Sequence, residues 1–166
     1  MRVGFGYDSH RFTDDPKPLV LGGVKFEGRG LKAHSDGDVV IHALIDALLG
    51  AAAKGDIGSH FPDTDERWKG ADSTKLLAAV VVEILASGYH IGNVDITIIC
   101  ETPKIGPKRE ELRRRLAELL AIDLDAVSVK GKTNEKMDDI GAGVGIEVHA
   151  VATLNCRIAA DAYPRT

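Results

Sequence analysis

Asp8, His10 and His42 have the chemistry of metal ligands. Asp8 and His10 flank one residue in a segment of alternating character, so an extended backbone would place both side chains on one face. His42 lies in a helical pattern and could reach across to the end of that strand. One carboxylate and two imidazoles suit zinc with an open fourth position, the arrangement of a catalytic Lewis acid. The alternative is that Asp8 caps a turn and His42 is a satisfied core histidine, and the spacing alone favours this structural interpretation.

The segment directly before the helix of His42 is polar and reads His-Ser-Asp-Gly-Asp over residues 34–38. Ser35 or Asp36 could cap the helix by accepting hydrogen bonds from its first amides, and acidic residues there complement the helix dipole. Capping accounts for the serine and the aspartates. It leaves His34 unexplained.

Residues 55–65 form a second polar segment, with two glycines and several carboxylates. Glycine permits close approach of the backbone to a ligand, and carboxylates can hold sugar hydroxyls. The alternative is an acidic surface turn, because Asp, Gly and Pro dominate turns for conformational reasons alone. Composition favours the two interpretations about equally.

The elements that must position these residues follow from hydrophobic patterning. Apolar runs predict strands over residues 19–21, 94–100, 127–129 and 146–154. Helical spacing predicts a helix over residues 38–54 that stops at Gly55, one that begins behind a Ser73 cap and ends near Gly88, and one after Pro107. Strands and helices interleave without repeats or a linker. We therefore predict one α+β domain over residues 1–166, with a flexible tail at residues 162–166.

Composition narrows the classes of function. The 166 residues are 44% hydrophobic with a formal net charge of −4, so the chain can bury one core but has no general attraction for nucleic acid or anionic membranes. We see no membrane span and no signal peptide. Cys100 and Cys156 lack the spacing of a disulfide framework or a zinc cluster. These observations predict a soluble cytoplasmic protein, without nucleic acid or membrane partners, that grips any anionic substrate locally.

Several motifs, taken together, resemble the family of 2-C-methyl-D-erythritol 2,4-cyclodiphosphate synthases over nearly the whole chain. They are Asp8-Ser9-His10, His34-Ser35-Asp36-Gly37-Asp38 with the later His42, Asp56-Ile57-Gly58, Phe61-Pro62-Asp63-Thr64-Asp65 and Lys132-Thr133-Asn134-Glu135. Their order and spacing leave little room for coincidence. The resemblance implies a two-layer α+β subunit with a four-stranded sheet and helices on one face. It also implies a homotrimer around a central axis, with active sites between subunits.

The resemblance further assigns roles to individual residues. It implies that Asp8, His10 and His42 bind zinc, and that Glu135 helps to hold a second divalent cation, magnesium or manganese. His34 and Thr133 match the positions that stabilise the transition state. The implied substrate-binding residues are Asp8, His10, His34, Ser35, Asp56, Ile57, Gly58, Phe61, Pro62, Asp63, Thr64, Asp65, Cys100, Glu101, Thr102, Pro103, Lys104, Ile105, Gly106, Lys132, Thr133, Asn134 and Glu135.

The implied activity is that of a phosphorus-oxygen lyase in the non-mevalonate route to isoprenoid precursors. It converts 4-diphosphocytidyl-2-C-methyl-D-erythritol 2-phosphate to 2-C-methyl-D-erythritol 2,4-cyclodiphosphate and CMP. The 2-phosphate attacks the β-phosphorus of the same molecule, so no protein nucleophile is required. Two alternatives stay open: a zinc-dependent phosphodiesterase or phosphatase that activates water, and a non-catalytic zinc-bearing oligomer that binds nucleotides.

Overall fold

The computed structural model describes residues 1–156, which form a four-stranded sheet and a separate two-stranded hairpin. The strands are β1 (Arg2–Arg11), β2 (Leu19–Leu21), β3 (Val24–Phe26), β4 (Tyr89–Ile99), β5 (Val127–Lys132) and β6 (Gly145–Cys156). The order in the large sheet is β1-β6-β4-β5. β6 runs antiparallel to β1 and β4, whereas β5 runs parallel to β4. β1 and β5 are therefore the two edges of the sheet.

Helices cover one face of this sheet. The long helices there are α1 (Val39–Ala52), α3 (Ser73–Ala86) and α4 (Arg109–Leu120). Two single-turn helices, α2 (Ile57–His60) and α5 (Asp138–Gly141), contact α1 and β6 respectively. α1 packs on β1 and β6, α3 on α1, and α4 on β5. This arrangement confirms the predicted two-layer α+β fold. The tail predicted at residues 162–166 lies outside the described residues.

The predicted strands are confirmed, and most extend beyond the apolar run that indicates them. The strand predicted at residues 94–100 begins at Tyr89, and the one predicted at residues 127–129 continues to Lys132. Apart from Ile91 and Gly145, which are buried, the additional residues are exposed or half-buried, so they do not prolong the apolar run. The strand predictions omit β3 and also β1, whose alternation indicates only where two side chains would lie if the backbone is extended. No helix prediction covers α2 or α5, because four residues are too few for a helical pattern to repeat. Among residues 1–156, no helix has both the length and the apolar character needed to cross a membrane.

α1 is buried on nearly every side. All of its residues except Asp46, Gly50 and Ala52 are buried, because the helix lies between the sheet and α3. A helix that is apolar all round is typical of an interior position. It ends at Ala52 rather than at Gly55: Ala53 adopts the left-handed conformation with φ of 57°. Its amide closes the last turn and replaces the predicted glycine stop.

Asp38 caps α1, which corrects the prediction that Ser35 or Asp36 does so. Its buried carboxylate accepts hydrogen bonds from the amide of Ile41 in the first turn and from the amides of Gly22 and Gly23 in the turn of the β2–β3 hairpin. A carboxylate offers several acceptor positions and can serve all three amides at once. The cap therefore joins the helix to the hairpin.

The cap of α3 is Asp72 rather than the predicted Ser73. The Asp72 carboxylate accepts a hydrogen bond from the Thr74 amide, 2.9 Å away. Ser73 is the first residue of the helix and is fully buried. Its hydroxyl is engaged elsewhere, as described below.

Glycines on β1 let α1 approach the sheet closely. A Cβ atom on Gly4 would lie 2.0 Å from the Ala47 carbonyl oxygen, and one on Gly6 would lie 1.9 Å from the Ala43 carbonyl oxygen. Side chains therefore cannot be accommodated at these two positions. Because alternate residues share one face of a strand, the side chains at positions 8 and 10 continue along the same line toward the beginning of α1.

The opposite face of β1 and β6 carries apolar side chains that are open to solvent. Val3, Phe5 and Tyr7 alternate with the buried glycines and are 67%, 61% and 46% exposed. Val151, which is paired with Phe5 in the sheet register, is exposed beside them. A cluster of exposed apolar side chains is typical of an interaction surface.

Gly6→Ala is expected to lower the free energy of unfolding by about 3 kcal/mol, because the added methyl group overlaps the α1 backbone. Gly50→Ala is the matched control: this exposed glycine lies on α1, and an added Cβ meets only the Phe5 carbonyl oxygen, at 3.8 Å. The control should gain about 0.5–1 kcal/mol from the helix preference of alanine. Urea unfolding followed by circular dichroism measures both. Equal stability of Gly6→Ala and the wild type would contradict the packing argument.

Candidate metal and substrate site

Asp8, His10 and His42 meet where the end of β1 passes the first turns of α1. The Asp8 Oδ2 atom lies 3.1 Å from His10 Nε2 and 3.0 Å from His42 Nδ1. The two imidazole nitrogens are 3.3 Å apart. Zinc bonds of about 2.0–2.1 Å in a tetrahedron separate neighbouring ligand atoms by about 3.3 Å. The three atoms therefore fit three corners of a tetrahedral metal site and leave the fourth corner open.

The Asp8 carboxyl is the anionic member of this triad. Burial alone would raise its pKa, but hydrogen bonds to His10 and His42 and the positive charge that these imidazoles can carry hold the pKa well below its usual range. The carboxylate is thus ionised at neutral pH. It offers a negatively charged ligand to a divalent cation.

His42 is buried, and both of its ring nitrogens have partners. Nδ1 faces Asp8, while Nε2 lies 2.9 Å from the Ser73 hydroxyl and 3.1 Å from the Ser35 hydroxyl. The two serines hold the ring with Nδ1 directed at Asp8 and His10. An imidazole oriented through its second nitrogen is typical of a metal ligand. The geometry therefore favours a metal site over the alternative of a satisfied core histidine.

The triad forms part of the wall of a cavity of about 440 Å³. This volume is common among small-molecule sites. The structure brings the three ligands together here with seven of the other predicted substrate-binding residues. The lining residues are Asp8, His10, Ala33, His34, Ser35, His42, Asp46, Ile57, Gly58, Phe61, Pro62, Asp63, Trp68 and Leu76.

His34 lies on this wall and is held there by its backbone, because its carbonyl accepts a hydrogen bond from the Gly70 amide at 2.8 Å. Its Nε2 atom is buried and has no hydrogen-bond partner among residues 1–156. Buried polar atoms are nearly always paired. An unpaired imidazole nitrogen near a metal triad is suited to bind an oxygen of a ligand.

The segment at residues 56–65 divides between cavity wall and turn structure. Asp56, Thr64 and Asp65 lie outside the wall. Asp56 caps α2 by accepting hydrogen bonds from the hydroxyl and the amide of Ser59, at 2.6 and 2.8 Å, and these bonds lower its pKa. Asp65 accepts hydrogen bonds from the Arg67 guanidinium. Within one chain, local turn structure accounts for these two aspartates.

A second cavity, of about 260 Å³, lies at the β5 edge of the sheet. β4 and β5 are parallel and end side by side, so the loops that follow them meet. No lining residue is common to this cavity and the cavity of the triad. The predicted residues that the structure brings together here are Cys100, Pro103, Lys104, Ile105, Gly106, Lys132 and Thr133.

The loop after β5 has an unusual backbone. Positive φ angles of 51°, 62° and 55° occur at Glu135, Lys136 and Asp138. Such angles are costly for residues other than glycine and often mark functional sites. The Thr133 hydroxyl donates a hydrogen bond to Glu135 at 2.7 Å, and the Asn134 amide donates one to Glu101 at 3.2 Å. The loop thus presents Thr133 and Glu135 together beside the second cavity.

Asp46 is a cavity residue that is absent from the sequence-based candidates. It lies one helical turn beyond His42, and its Oδ1 atom accepts a hydrogen bond from the Ile57 amide at 2.7 Å. Partial burial raises its pKa. A lone carboxylate four residues after a candidate ligand, in an otherwise apolar helix, is the signal that could identify it. Trp68 and Leu76 carry no comparable signal.

Known sequences resemble this chain over nearly its whole length. Residues 1–155 match the YgbB family. The chain is 56% identical over 155 residues to the 2-C-methyl-D-erythritol 2,4-cyclodiphosphate synthase of Pseudomonas putida (strain W619), covering 93% of this chain and 98% of that protein. It is 52% identical over 152 residues to the bifunctional enzyme IspD/IspF of Anaeromyxobacter sp. (strain Fw109-5), covering 92% of this chain but 39% of that enzyme.

Solved structures have the same fold. The bifunctional IspDF from Campylobacter jejuni superposes with a TM-score of 0.89 at 38% identity, over 93% of this chain and 42% of that chain. The CDP complex of IspF from Plasmodium falciparum superposes with a TM-score of 0.84 at 38% identity, over 95% of this chain and 97% of that chain. The chain belongs to the YgbB family, and it spans nearly the whole of the cyclodiphosphate synthase from Pseudomonas putida.

Proposed function

We propose that this protein converts 4-diphosphocytidyl-2-C-methyl-D-erythritol 2-phosphate to 2-C-methyl-D-erythritol 2,4-cyclodiphosphate with release of CMP. The reaction is a step of the methylerythritol phosphate route to isoprenoid precursors. The observation that carries the proposal is the open triad of Asp8, His10 and His42 in a cavity that is also lined by His34, whose Nε2 atom has no hydrogen-bond partner within residues 1–156. Relatives that this chain matches over nearly their full length are named for this activity, and the relative from Plasmodium falciparum was solved with CDP.

We assign zinc to the triad. Two imidazole nitrogens and one carboxylate oxygen at tetrahedral spacing are a common ligand set for catalytic zinc. Zinc bound there would supply a Lewis acid able to polarise a phosphate oxygen of the substrate. The negative charge of Asp8 offsets part of the charge of the cation.

The proposed chemistry is an internal phosphoryl transfer. An oxygen of the 2-phosphate forms a bond to the β-phosphorus, and the bond from that phosphorus to the oxygen of the CMP phosphate breaks. That oxygen leaves with CMP, so the reaction consumes no water and needs no protein nucleophile. Catalysis must bring two anions together and stabilise the charge that develops on the phosphoryl oxygens. We assign hydrogen bonds to that charge to His34 and Thr133.

The two cavities divide the substrate between them. We assign the phosphates and the methylerythritol unit to the cavity of the triad, with Ser35, Gly58 and Asp63 among its polar and backbone contacts. We assign the cytidine to the second cavity, where residues 100–106 and 132–135 meet. Glu135, presented by the loop after β5, would hold a second divalent cation, magnesium or manganese, which would neutralise part of the charge of the bound nucleotide.

A complete site then requires more than one copy of the chain. The cavity of the triad lies at the β1 edge of the sheet and the second cavity at the β5 edge. The exposed apolar side chains of Val3, Phe5, Tyr7 and Val151 provide a surface for association. We propose a homotrimer in which each site combines the triad cavity of one subunit with the nucleotide cavity of a neighbour. Both cysteines are free, which is compatible with our assignment to the cytoplasm.

Whether an oxygen atom from water enters the product distinguishes the proposed cyclase from a zinc-dependent phosphodiesterase. With substrate, zinc and magnesium in ¹⁸O-labelled water, the proposed reaction gives CMP and a cyclic diphosphate, neither of which contains the label. Hydrolysis would give a linear phosphate that carries one labelled oxygen. Phosphorus NMR and mass spectrometry distinguish the products, and a labelled linear product would overturn the cyclase assignment.

His42→Ala is expected to weaken zinc binding by more than about 100-fold and to abolish nearly all cyclisation, because it removes a direct ligand rather than an outer partner. His90→Ala, at an exposed histidine on β4, serves as the control and should keep full zinc content. Zinc per chain is measured by mass spectrometry of the dialysed proteins. Full zinc occupancy in His42→Ala would refute the triad.

Glu135→Gln is expected to leave zinc content unchanged and to raise the magnesium concentration needed for half-maximal activity about tenfold, because magnesium prefers carboxylate oxygen to a neutral amide. Glu118→Gln, at an exposed position of α4, is the control. Activity is titrated with magnesium at fixed zinc. The same magnesium requirement in Glu135→Gln and the control would count against the second cation site.

The wild type is expected to sediment as three copies of the 17.7 kDa chain. Phe5→Glu places a charge on the exposed sheet face and should give an inactive monomer. Val82→Glu makes the same change at another exposed apolar position, on α3, and should leave the trimer intact. Sedimentation velocity and activity measured on the same samples test the proposal, which fails if the monomer is active.

A further inference from the structure

His42 is bound at its far ring nitrogen by a short chain of hydrogen bonds that leads away from the metal triad. Its Nε2 atom lies 2.9 Å from the Ser73 hydroxyl. That hydroxyl in turn makes a short hydrogen bond to the Asp36 carboxylate, which also accepts the Ser73 amide at 3.0 Å. Ser73 is fully buried at the start of α3.

Only one arrangement of protons is consistent with the hydrogen bonds that join His42, Ser73 and Asp36. A carboxylate only accepts hydrogen bonds, so the single proton of the Ser73 hydroxyl is committed to Asp36. The serine oxygen then offers only lone pairs to His42, and Nε2 of the imidazole must be the donor. Nδ1 is consequently left with its lone pair directed between Asp8 and His10, where the metal ion would lie.

The second hydroxyl near His42, that of Ser35, does not fix which ring nitrogen carries the proton. Its oxygen lies 3.1 Å from Nε2 and accepts a hydrogen bond from the Gly37 amide at 3.1 Å. Its proton has no acceptor fixed by the described residues, so Ser35 stays available to donate into the cavity. The two serines therefore have different tasks despite similar distances to the ring.

We propose that Ser73 and Asp36 are positioning residues that select the metal-binding tautomer of His42 and raise the affinity of the triad for zinc. The negative charge of Asp36 makes the serine oxygen a better acceptor, and this in turn makes Nδ1 a stronger ligand. These hydrogen bonds, which we call the relay from Asp36 through Ser73 to His42, also join three separate segments: α1, the polar segment at residues 34–38 and α3. The relay rests on the proposed zinc site and extends it to residues that touch neither metal nor substrate.

The test is the zinc dissociation constant without substrate, measured by competition with a chromophoric chelator. Ser73→Ala is expected to weaken zinc binding by about 10- to 100-fold, the range typical for loss of a partner behind a metal ligand. Asp36→Asn, which keeps the serine but weakens its polarisation, should cause a smaller loss. Thr74→Ala is the matched control, because this neighbouring hydroxyl bonds to Asp72 in the same helical turn and should leave affinity unchanged.

A second readout separates positioning from a purely structural role. In the zinc-loaded wild type labelled with ¹⁵N-histidine, the Nε2 proton of His42 should be observed and protected from exchange. In Ser73→Ala it should exchange rapidly although the circular dichroism spectrum is native.

The possible outcomes are distinct. If the wild type binds zinc and Ser73→Ala binds it with the same affinity, the proposed role of Ser73 and Asp36 is wrong, but the assignment of the triad as the zinc site is unaffected. Absence of zinc binding by the wild type would overturn both proposals. If Ser73→Ala does not fold, Asp36→Asn decides: affinity equal to that of Thr74→Ala would reject the relay, and weaker binding would support it.

Discussion

The contact between the backbones of β1 and α1 determines where chemistry can occur in this fold. At Gly4 and Gly6 the helix lies directly on the strand, and the carbonyl oxygens of Ala47 and Ala43 fill the space in which a Cβ would stand. Further along the strand, side chains return to the same face. The first of these, Asp8, enters the space between strand and helix and meets His42 at 3.0 Å. The metal triad therefore lies at the point where backbone-to-backbone contact gives way to side chains.

The sequence predicts the long helix of this site better than it predicts the hydrogen-bond partners of the polar residues. Helical spacing predicts α1, because this helix is long enough for its pattern to repeat, whereas the alternation before Asp8 indicates only that Asp8 and His10 share a face if that segment is extended. Capping is harder to assign. Asp36 and Asp38 are two residues apart and chemically identical, yet Asp38 serves α1 while Asp36 serves α3 through Ser73. Only the folded chain brings positions 36 and 73 together, so local spacing could not distinguish the two roles.

The same limit applies to the candidate site. Asp-x-His and a distant histidine are weak signals individually, since each pattern has an ordinary structural explanation. The combination of motifs points to the triad, whose ligand atoms the structure places within reach of one ion. The motifs do not reveal that the residues around Thr133 occupy the opposite edge of the sheet. That separation follows from strand order, which depends on long-range pairing of β6 between β1 and β4.

Asp38 is expected to tolerate substitution poorly, although it takes no part in the proposed chemistry. One buried carboxylate holds the first turn of α1 and both amides of the β2–β3 hairpin turn. Residues 34 and 35 of the cavity wall lie only a few positions upstream on the same segment. An asparagine at position 38 would replace one oxygen by an amide group that cannot accept, leaving a buried donor unsatisfied. Substitutions at Asp38 would thus resemble active-site lesions in a genetic screen, although this carboxylate touches no reacting atom. The cause would be the loss of hydrogen bonds that hold α1 to the β2–β3 hairpin, and not the loss of a catalytic group.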